Sequence, residues 1–268
     1  MKVEISIIPE YDRLEESVAI AEKYHAHFEY NDFYLPAVYL NQMEIDKRVE
    51  RYLSCKRDAG MDTMHGAFLD LALNSSDPNI ADYSKQCIRK SMEIAKKLGV
   101  KGVVFHTGLI AGFKERHYVS NWIAKNTEFF GDLCASYPDI QVYMENMFDR
   151  DYELIWQLAS QMKEVPNFGI CLDYAHAAIS DVKPVEWLKK LAPFVKHMHI
   201  NDNDFVNDLH LTLGKGKIDW QEFKSELELL LDSGEMKEMP SILLELRSLE
   251  SFEESMLLFQ QLFDLEDD

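Results

Sequence analysis

The chain alternates eight short apolar runs with longer segments whose apolar residues recur every three or four positions. The short runs are Val3–Ile8, His27–Tyr30, Thr63–Phe68, Gly102–His106, Gln141–Met147, Phe168–Asp173, Val195–Ile200 and Ile242–Leu246. The longer segments include Leu14–Tyr24, Ile80–Leu98, Trp122–Tyr137, Tyr152–Met162 and Trp220–Leu231. Strand period alternating with helix period indicates parallel βαβ units. Eight such units in 268 residues predict a single (β/α)8 TIM barrel of the α/β class.

An open, doubly wound sheet is the competing architecture, because it uses the same alternation of strands and helices. No GxGxxG motif follows the first strand, which weakens a dinucleotide-binding version of that fold. The turn signals fit eight units, since Gly99 closes a helical segment and Pro138 and Pro166 each shortly precede a strand. No linker or low-complexity stretch interrupts the chain, so we predict one domain over residues 1–268.

The charge of the chain argues against a nucleic-acid partner. The formal net charge is -19, and no dense lysine or arginine cluster offsets the repulsion of a polyanion. No run of 18 apolar residues occurs, so no membrane span is expected. The N-terminus lacks the long apolar stretch of a signal peptide, which favours a cytoplasmic location. The cysteines form no CxxC pair, so we interpret them as isolated thiols rather than a zinc knuckle or a disulfide framework.

Polar and ionisable side chains recur where the predicted strands end. They are His65, His106, Glu145, Asn146, Asp173, His176, His199 and Glu245, with Asp208 and His210 in the loop after the seventh strand. In a barrel these strand ends meet at one mouth, where active sites lie. Converging carboxylates would repel one another, and a bound dication would relieve that repulsion. Imidazole with carboxylate suits zinc, manganese, cobalt or iron better than calcium, so the set predicts a divalent-metal site.

Each of these side chains also has a structural interpretation when it is considered alone. A histidine such as His65 could be a hydrogen-bonded core residue, and Glu245 could pair with Arg247. The metal interpretation therefore depends on the whole set, in which several strands make the same choice at the same end. His197 is assigned a structural role, because strand alternation is expected to aim it away from His199.

Five motifs occur in the order and strand placement of a known superfamily. They are HTG at 106–108, ENM at 145–147, LDYAH at 172–176, HMHINDND at 197–204 and DLHLTLGKGKIDW at 208–220. On these motifs, nearly the whole chain resembles the xylose-isomerase-like barrel superfamily. That superfamily includes sugar isomerases, sugar epimerases and the endonuclease IV-type DNA repair enzymes.

Resemblance to the isomerase and epimerase branch implies one metal ion with four protein ligands. Carried over, these ligands are Glu145, Asp173, His199 and Glu245. The resemblance also implies that Glu145 and Glu245 act as acid and base on opposite faces of a sugar carbon. His176 would contact substrate hydroxyls, and His65 and Asn146 are further candidates for substrate binding.

Resemblance to the endonuclease IV branch implies nine ligands that hold three zinc ions. All nine residue types are present, as His65, His106, Glu145, Asp173, His176, His199, Asp208, His210 and Glu245. The expected cofactor is therefore a divalent ion, zinc or manganese, with one to three ions per chain. A DxH motif followed by GxG is also typical of many isomerase-like members, so the ninefold match leaves the reaction open.

We therefore predict a metal-dependent isomerase or epimerase of a small sugar or sugar phosphate. Tyr30, Asn31, Phe33 and Tyr34, after the second strand, could line its pocket. The first alternative is a multinuclear zinc phosphodiesterase acting at abasic DNA, which the ligand count favours and the negative charge disfavours. The second alternative is a non-catalytic small-molecule-binding barrel, against which the complete ligand set argues. Barrels of this kind often pair, so a homo-oligomer is left open.

Overall fold

Residues 3–110, 112–113 and 115–264 are described by a computed structural model. Their strands are β1 (Ile5–Ile7), β2 (His27–Tyr30), β3 (Thr63–His65), β4 (Gly102–His106), β5 (Gln141–Glu145), β6 (Phe168–Asp173), β7 (Val195–Ile200) and β8 (Ser241–Leu244). The sheet closes in the order β1 to β8, as a parallel barrel surrounded by helices. This arrangement confirms the predicted (β/α)8 barrel and excludes the open sheet.

The helices lie between successive strands and after the last one. Within the described residues they are α1 (Leu14–Lys23), α2 (Pro36–Tyr39), α3 (Gln42–Ser54), α4 (Pro78–Leu98), α5 (Arg116–Ser136), α6 (Glu153–Gln161), α7 (Tyr174–Ala178), α8 (Pro184–Leu191), α9 (Trp220–Ser233) and α10 (Leu249–Phe263). A short 3-10 turn, Tyr11–Arg13, precedes α1. Among the described residues, no helix combines the length and the hydropathy that a membrane crossing needs.

The helix ends follow from local chemistry. The Asp77 side chain accepts a hydrogen bond from the Asn79 backbone N–H and caps the start of α4, where proline occupies the first position. Gly99 ends this helix in the left-handed conformation with a φ of 74°, as its position in the sequence predicts. Asp219 caps α9 in the same way as Asp77 caps α4. The two aspartates therefore set where α4 and α9 begin, and Gly99 sets where the chain leaves α4 for β4.

The described chain divides into two compact units by its internal contacts. The first unit takes the described residues of Met1–Ala26, Asn146–Tyr152 and Ile170–Asp268, and the second takes His27–Glu145 and Glu153–Gly169. Trp187 and Phe223 are fully buried in the first unit, and Trp122 and Phe130 are fully buried in the second. Each unit therefore has an apolar core of its own, on which its strand ends are supported. The single domain over residues 1–268 stays a prediction.

Candidate metal centre

Three ligand-type side chains of the first unit converge at the ends of β6, β7 and β8. Asp173 is the last residue of β6, His199 is the penultimate residue of β7, and Glu245 directly follows β8. Each offers a ligand atom within 4.8 Å of those of the other two. His199 Nδ1 lies 3.5 Å from Glu245 Oε2, whose side chain is 13% exposed, whereas Asp173 and His199 are fully buried. Two carboxylates and an imidazole at this spacing fit part of the ligand shell of a zinc or manganese ion.

Asp173 is held in place by its own helix and by Asn146. Its side chain caps α7 by accepting a hydrogen bond of 2.6 Å from the His176 backbone N–H. The Asn146 amide donates to the Asp173 carbonyl and accepts from the Asp173 N–H, both at 2.9 Å. Asn146 therefore clamps the backbone of a candidate ligand, while its predicted contact with substrate stays a prediction.

A second group in the same unit joins His176, Asp208 and His210. The His176 Nδ1–H donates to the Asn146 carbonyl at 2.9 Å, which leaves Nε2 facing Asp208 Oδ2 at 3.5 Å. His210 Nε2 is 3.1 Å from the same oxygen. Burial alone would raise the pKa of Asp208, but hydrogen bonds from the two histidines outweigh it and hold that pKa well below its usual range. The buried Asp208 Oδ1 has no hydrogen-bond partner among the described residues, so this carboxylate can still bind a cation.

His210 connects the two groups of the first unit. Its Nδ1 lies 3.1 Å from the Glu245 carbonyl oxygen and 3.9 Å from Glu245 Oε2. Burial lowers the pKa of His210, yet the hydrogen bond with Asp208 and the charge of Glu245 outweigh it and raise the pKa to about 9. The backbone of His210 is left-handed, with a φ of 49°, which is uncommon for a side chain of this size. Such strain, held by surrounding contacts, is a frequent feature of functional sites.

The loop that carries Asp208 and His210 is fastened by Asp202, which is not among the predicted site residues. Asp202 is fully buried. Its carboxylate accepts hydrogen bonds of 2.8–3.1 Å from the backbone N–H groups of Asn203, Gly214 and Ile218 and from Trp220 Nε1. A Cβ at Gly216 would lie 2.2 Å from Asp202 Oδ1, so only glycine fits there. The GKG sequence in the 208–220 motif is the signal that points to this close approach.

Two residues near the end of β7, His197 and Asn201, have surroundings that the sequence analysis did not predict. The His197 ring lies 5.2 Å from the His199 ring. The expectation that His197 points away from His199 is therefore wrong, because residues two apart on a strand share one face. Asn201 is fully buried, and its amide oxygen and nitrogen have no hydrogen-bond partner among the described residues. A buried amide left in that state costs about 1–3 kcal/mol, so it suits contact with a bound molecule.

The second unit has its own ligand-type group, made of His65, His106 and Glu145. The two imidazole Nε2 atoms are 2.8 Å apart, and they lie 3.5 and 3.2 Å from Glu145 Oε2. The His65 Nδ1–H donates to the Gly66 carbonyl at 3.0 Å, which places a lone pair on Nε2. A histidine that donates one ring N–H and presents its other nitrogen to a shared point is arranged as a metal ligand.

Aromatic rings surround these histidines. Phe68 stacks on His106 at 4.1 Å with an angle of 6°, and Tyr34 lies 5.4 Å from His65. In the first unit, Phe148 is 49% exposed and lies 5.4 Å from His176. Flat apolar surfaces beside polar groups are suited to a ligand that has both apolar and polar faces.

The residues at and after the end of β2 that were expected to line a pocket differ in burial. Tyr30 and Phe33 are fully buried, and the Tyr30 hydroxyl donates to Asp62 at 2.8 Å. Burial therefore raises the pKa of Tyr30 far above its ordinary value. These two side chains are structural, which corrects the expectation that they line a pocket. Tyr34 is only partly buried and contacts His65, as a pocket residue would.

The fold and these groups define a class: a closed parallel (β/α)8 barrel with histidines and carboxylates gathered at the ends of its strands. The chain belongs to the xylose isomerase-like TIM barrel family, whose model matches residues 18–230.

Two curated relatives show how far the sequence similarity extends. The uncharacterized protein MJ1614 of Methanocaldococcus jannaschii is 28% identical over 169 residues, which are 62% of this chain. This chain thus spans about 65% of the length of that relative. A probable endonuclease 4 of Persephonella marina is 24% identical over 219 residues, which are 74% of this chain and 75% of that protein.

Solved structures share the fold over nearly the full length. A D-tagatose 3-epimerase-like protein is 21% identical, with a TM-score of 0.75 and 98% of each chain covered. The TTHB071 protein from Thermus thermophilus, soaked with ZnCl2, is 24% identical, with a TM-score of 0.75 and 99% of each chain covered. At these identities the likeness supports the fold alone.

Proposed function

We propose that this chain is a divalent-metal-dependent isomerase or epimerase of a small sugar or sugar phosphate. The observation that carries the proposal is the convergence of Asp173, His199 and Glu245, whose ligand atoms lie within 4.8 Å of one another. Two carboxylates next to each other with little solvent are costly unless a cation balances them. The solved D-tagatose 3-epimerase-like protein, which shares this fold, agrees with a sugar substrate.

In this proposal, Asp173, His199 and Glu245 hold the ion and Glu145 is the fourth ligand. Glu145 is the last residue of β5, so it stands at a strand end as the other three ligands do. When bound, the ion would polarise a carbonyl group and an adjacent hydroxyl group of the sugar.

The two glutamates transfer the proton. Glu245 removes the proton from the carbon next to the carbonyl, and its partial exposure lets a substrate reach its carboxylate. Glu145 returns a proton to the opposite face of that carbon in an epimerase, and its Oε2 is close to His65 and His106. His176 binds a substrate hydroxyl, and the exposed face of Phe148 beside it packs on an apolar face of the sugar.

Deuterium exchange tests this function without a known substrate. Ketohexoses, pentuloses and their phosphates are incubated with the Mn²⁺- or Zn²⁺-loaded chain in heavy water, and incorporation at the carbon next to the carbonyl is followed by NMR. We expect exchange that a chelator abolishes, because the ion lowers the cost of removing that proton. A chain that binds metal but exchanges none of these sugars would contradict the proposal.

The variant Glu245→Gln should lower the exchange rate by about 10²–10⁴-fold, which is the usual contribution of a general base. Glu238→Gln is the matched control, because Glu238 is an exposed glutamate in the segment before β8. Circular dichroism of both variants checks that the fold is retained. Equal exchange by wild type and Glu245→Gln would remove Glu245 from the reaction.

A multinuclear zinc phosphodiesterase is the second candidate. The observation that favours it is that the chain has two further ligand-type groups, His65–His106–Glu145 and His176–Asp208–His210, as well as the Asp173–His199–Glu245 group. The sequence similarity to a probable endonuclease 4 agrees with it. Elemental analysis that finds about three zinc ions per chain would favour this candidate. A chain that binds neither metal nor sugar would instead favour the non-catalytic binding barrel.

A further inference from the structure

A thiol lies among the imidazoles of β7, one layer of side chains below the ends of the strands. Cys171 on β6 is the register partner of His197 on β7, just as Asp173 is the partner of His199. Cys171, His197 and His199 offer ligand atoms within 4.8 Å of one another, and all three are fully buried. We refer to these three residues as the thiol cluster.

The hydrogen bonding of His197 suits a ligand role. Its Nδ1 lies 2.7 Å from the hydroxyl oxygen of Ser241, which is its register partner on β8. Histidines that bind metals usually donate their second ring N–H to an oxygen atom, which fixes the tautomer and the ring orientation. In the tautomer whose Nδ1–H donates to Ser241, the lone pair of His197 is on Nε2.

We propose that the thiol cluster is a binding site for a thiophilic metal ion such as Zn²⁺, Co²⁺, Cd²⁺ or Cu⁺. Its ligands are Cys171 Sγ, one ring nitrogen of His197 and one ring nitrogen of His199. The Cys171 S–H bond breaks and its proton goes to solvent as the sulfur–metal bond forms, without any change of oxidation state. A sulfur with two nitrogens is a softer donor set than Asp173 and Glu245, so the cluster prefers softer ions than the carboxylates do.

This site has a consequence for activity because His199 belongs both to the thiol cluster and to the Asp173–His199–Glu245 group. An ion in the thiol cluster draws the His199 ring towards Cys171 and His197, and it removes a ligand from the catalytic ion. Thiophilic ions should therefore inhibit the enzyme. This consequence rests on the proposed function, whereas the binding of the ion does not.

Sulfur-to-metal charge-transfer absorption in the ultraviolet tests the binding directly. The purified full chain is titrated with Co²⁺ and, separately, with Cd²⁺, and we expect a saturable charge-transfer band for each. The band should be absent in Cys171→Ala and retained in Cys134→Ala. Cys134 is the matched control, because it is a fully buried cysteine on α5 in the second unit. Its side chain is not part of any ligand group found among the described residues.

The variant His197→Gln keeps the thiol and replaces the imidazole ligand with a neutral amide, so it tests the cluster even where Cys171→Ala folds poorly. We expect its Cd²⁺ affinity, measured by the same band, to fall by about 10–100-fold. Wild type without any charge-transfer band would overturn the proposal, and so would a band that persists at full strength in Cys171→Ala.

Inhibition by Cd²⁺ allows the thiol cluster and the proposed isomerase function to be tested independently of each other. We expect Cd²⁺ to inhibit Mn²⁺-supported sugar exchange by wild type. In Cys171→Ala, the inhibition relative to that variant's own cadmium-free rate should need about 10-fold more Cd²⁺. Absence of sugar exchange in every sample would sink the function but leave the charge-transfer result standing. A missing band with intact exchange would sink the thiol cluster alone.

Discussion

The contacts of His210 favour its protonated form, which metal binding must convert to the neutral form. Its pKa is raised to about 9, because the hydrogen bond with Asp208 and the charge of Glu245 outweigh the effect of burial. The imidazole is therefore protonated at neutral pH when no cation is bound. A histidine ligand must be neutral, so a metal ion that binds here competes with that proton.

This raised pKa predicts a pH-dependent contribution of His210 to stability in the metal-free chain. A folded pKa of about 9, above the unfolded value of about 6.5, stabilises the fold fully below pH 6.5. That stabilisation is lost as the pH rises through about 9. We expect the difference in Tm between wild type and His210→Asn, measured in chelator, to shrink between pH 6 and pH 10. The exposed His117→Asn serves as the control, and a constant difference for His210→Asn would refute the prediction.

Single residues also show what the sequence could and could not predict. Residue type at a strand end is visible in the sequence, which is why Asp173, His199 and Glu245 could be predicted as a group. The environment of Asp202 could not be predicted, because its four donors come from positions 203–220 and meet only once the loop has folded. For His197 the error lay in the use of strand alternation, because its spacing from His199 already places both on one face.

At the scale of elements, the predicted strands agree with the structure except at some of their boundaries. β2, β4, β6 and β7 have the predicted bounds, whereas β5 stops at Glu145, two residues early. The next residue, Asn146, uses its side chain to clamp the Asp173 backbone. The helices α2 and α7 have four and five residues, which is too short for a helical period to be visible in the sequence.

The loop at 203–219 carries Asp208 and His210, and a substitution of Asp202 tests how that loop is held. Asp202→Asn keeps the shape of the side chain but replaces one acceptor oxygen with an N–H donor that would face donors. We expect faster amide hydrogen exchange at Gly214 and Ile218, and about 10–100-fold weaker metal binding by the His176–Asp208–His210 group. Hydrogen exchange and metal titration by calorimetry measure the two effects.

Asp204→Asn is the control for Asp202→Asn, because Asp204 lies in the same loop but is part-exposed and accepts hydrogen bonds from the neighbouring Val206 and Asn207. The Asp202 carboxylate is fully buried, whereas the Asp204 carboxylate is not. Should both variants weaken metal binding equally, Asp202 would not act through the position of Asp208 and His210. Should neither speed exchange at Gly214 and Ile218, the loop would be held by other contacts.

For the whole molecule, the net charge of -19 bears on the choice between a sugar and DNA as substrate. Duplex DNA is bound largely through several phosphate contacts with lysine and arginine, which release condensed counterions. In the loop at 201–217, Lys215 and Lys217 are the only lysine or arginine residues, and Lys215 forms an ion pair of 2.8 Å with Glu254. A small sugar phosphate needs only local contacts, so the charge of the whole chain opposes its binding far less.

We therefore predict that the zinc-loaded chain neither binds nor cleaves duplex DNA with an abasic site at physiological salt. Fluorescence anisotropy measures the binding and gel electrophoresis the cleavage, on the same preparation that is used for sugar exchange. Lowering the salt strengthens every phosphate contact, so weak binding that appears only at low salt would reflect non-specific attraction. Specific cleavage of the abasic strand at physiological salt would instead make the phosphodiesterase the function. DNA binding by a chain of this net charge would then require a local basic surface that overcomes the repulsion of DNA.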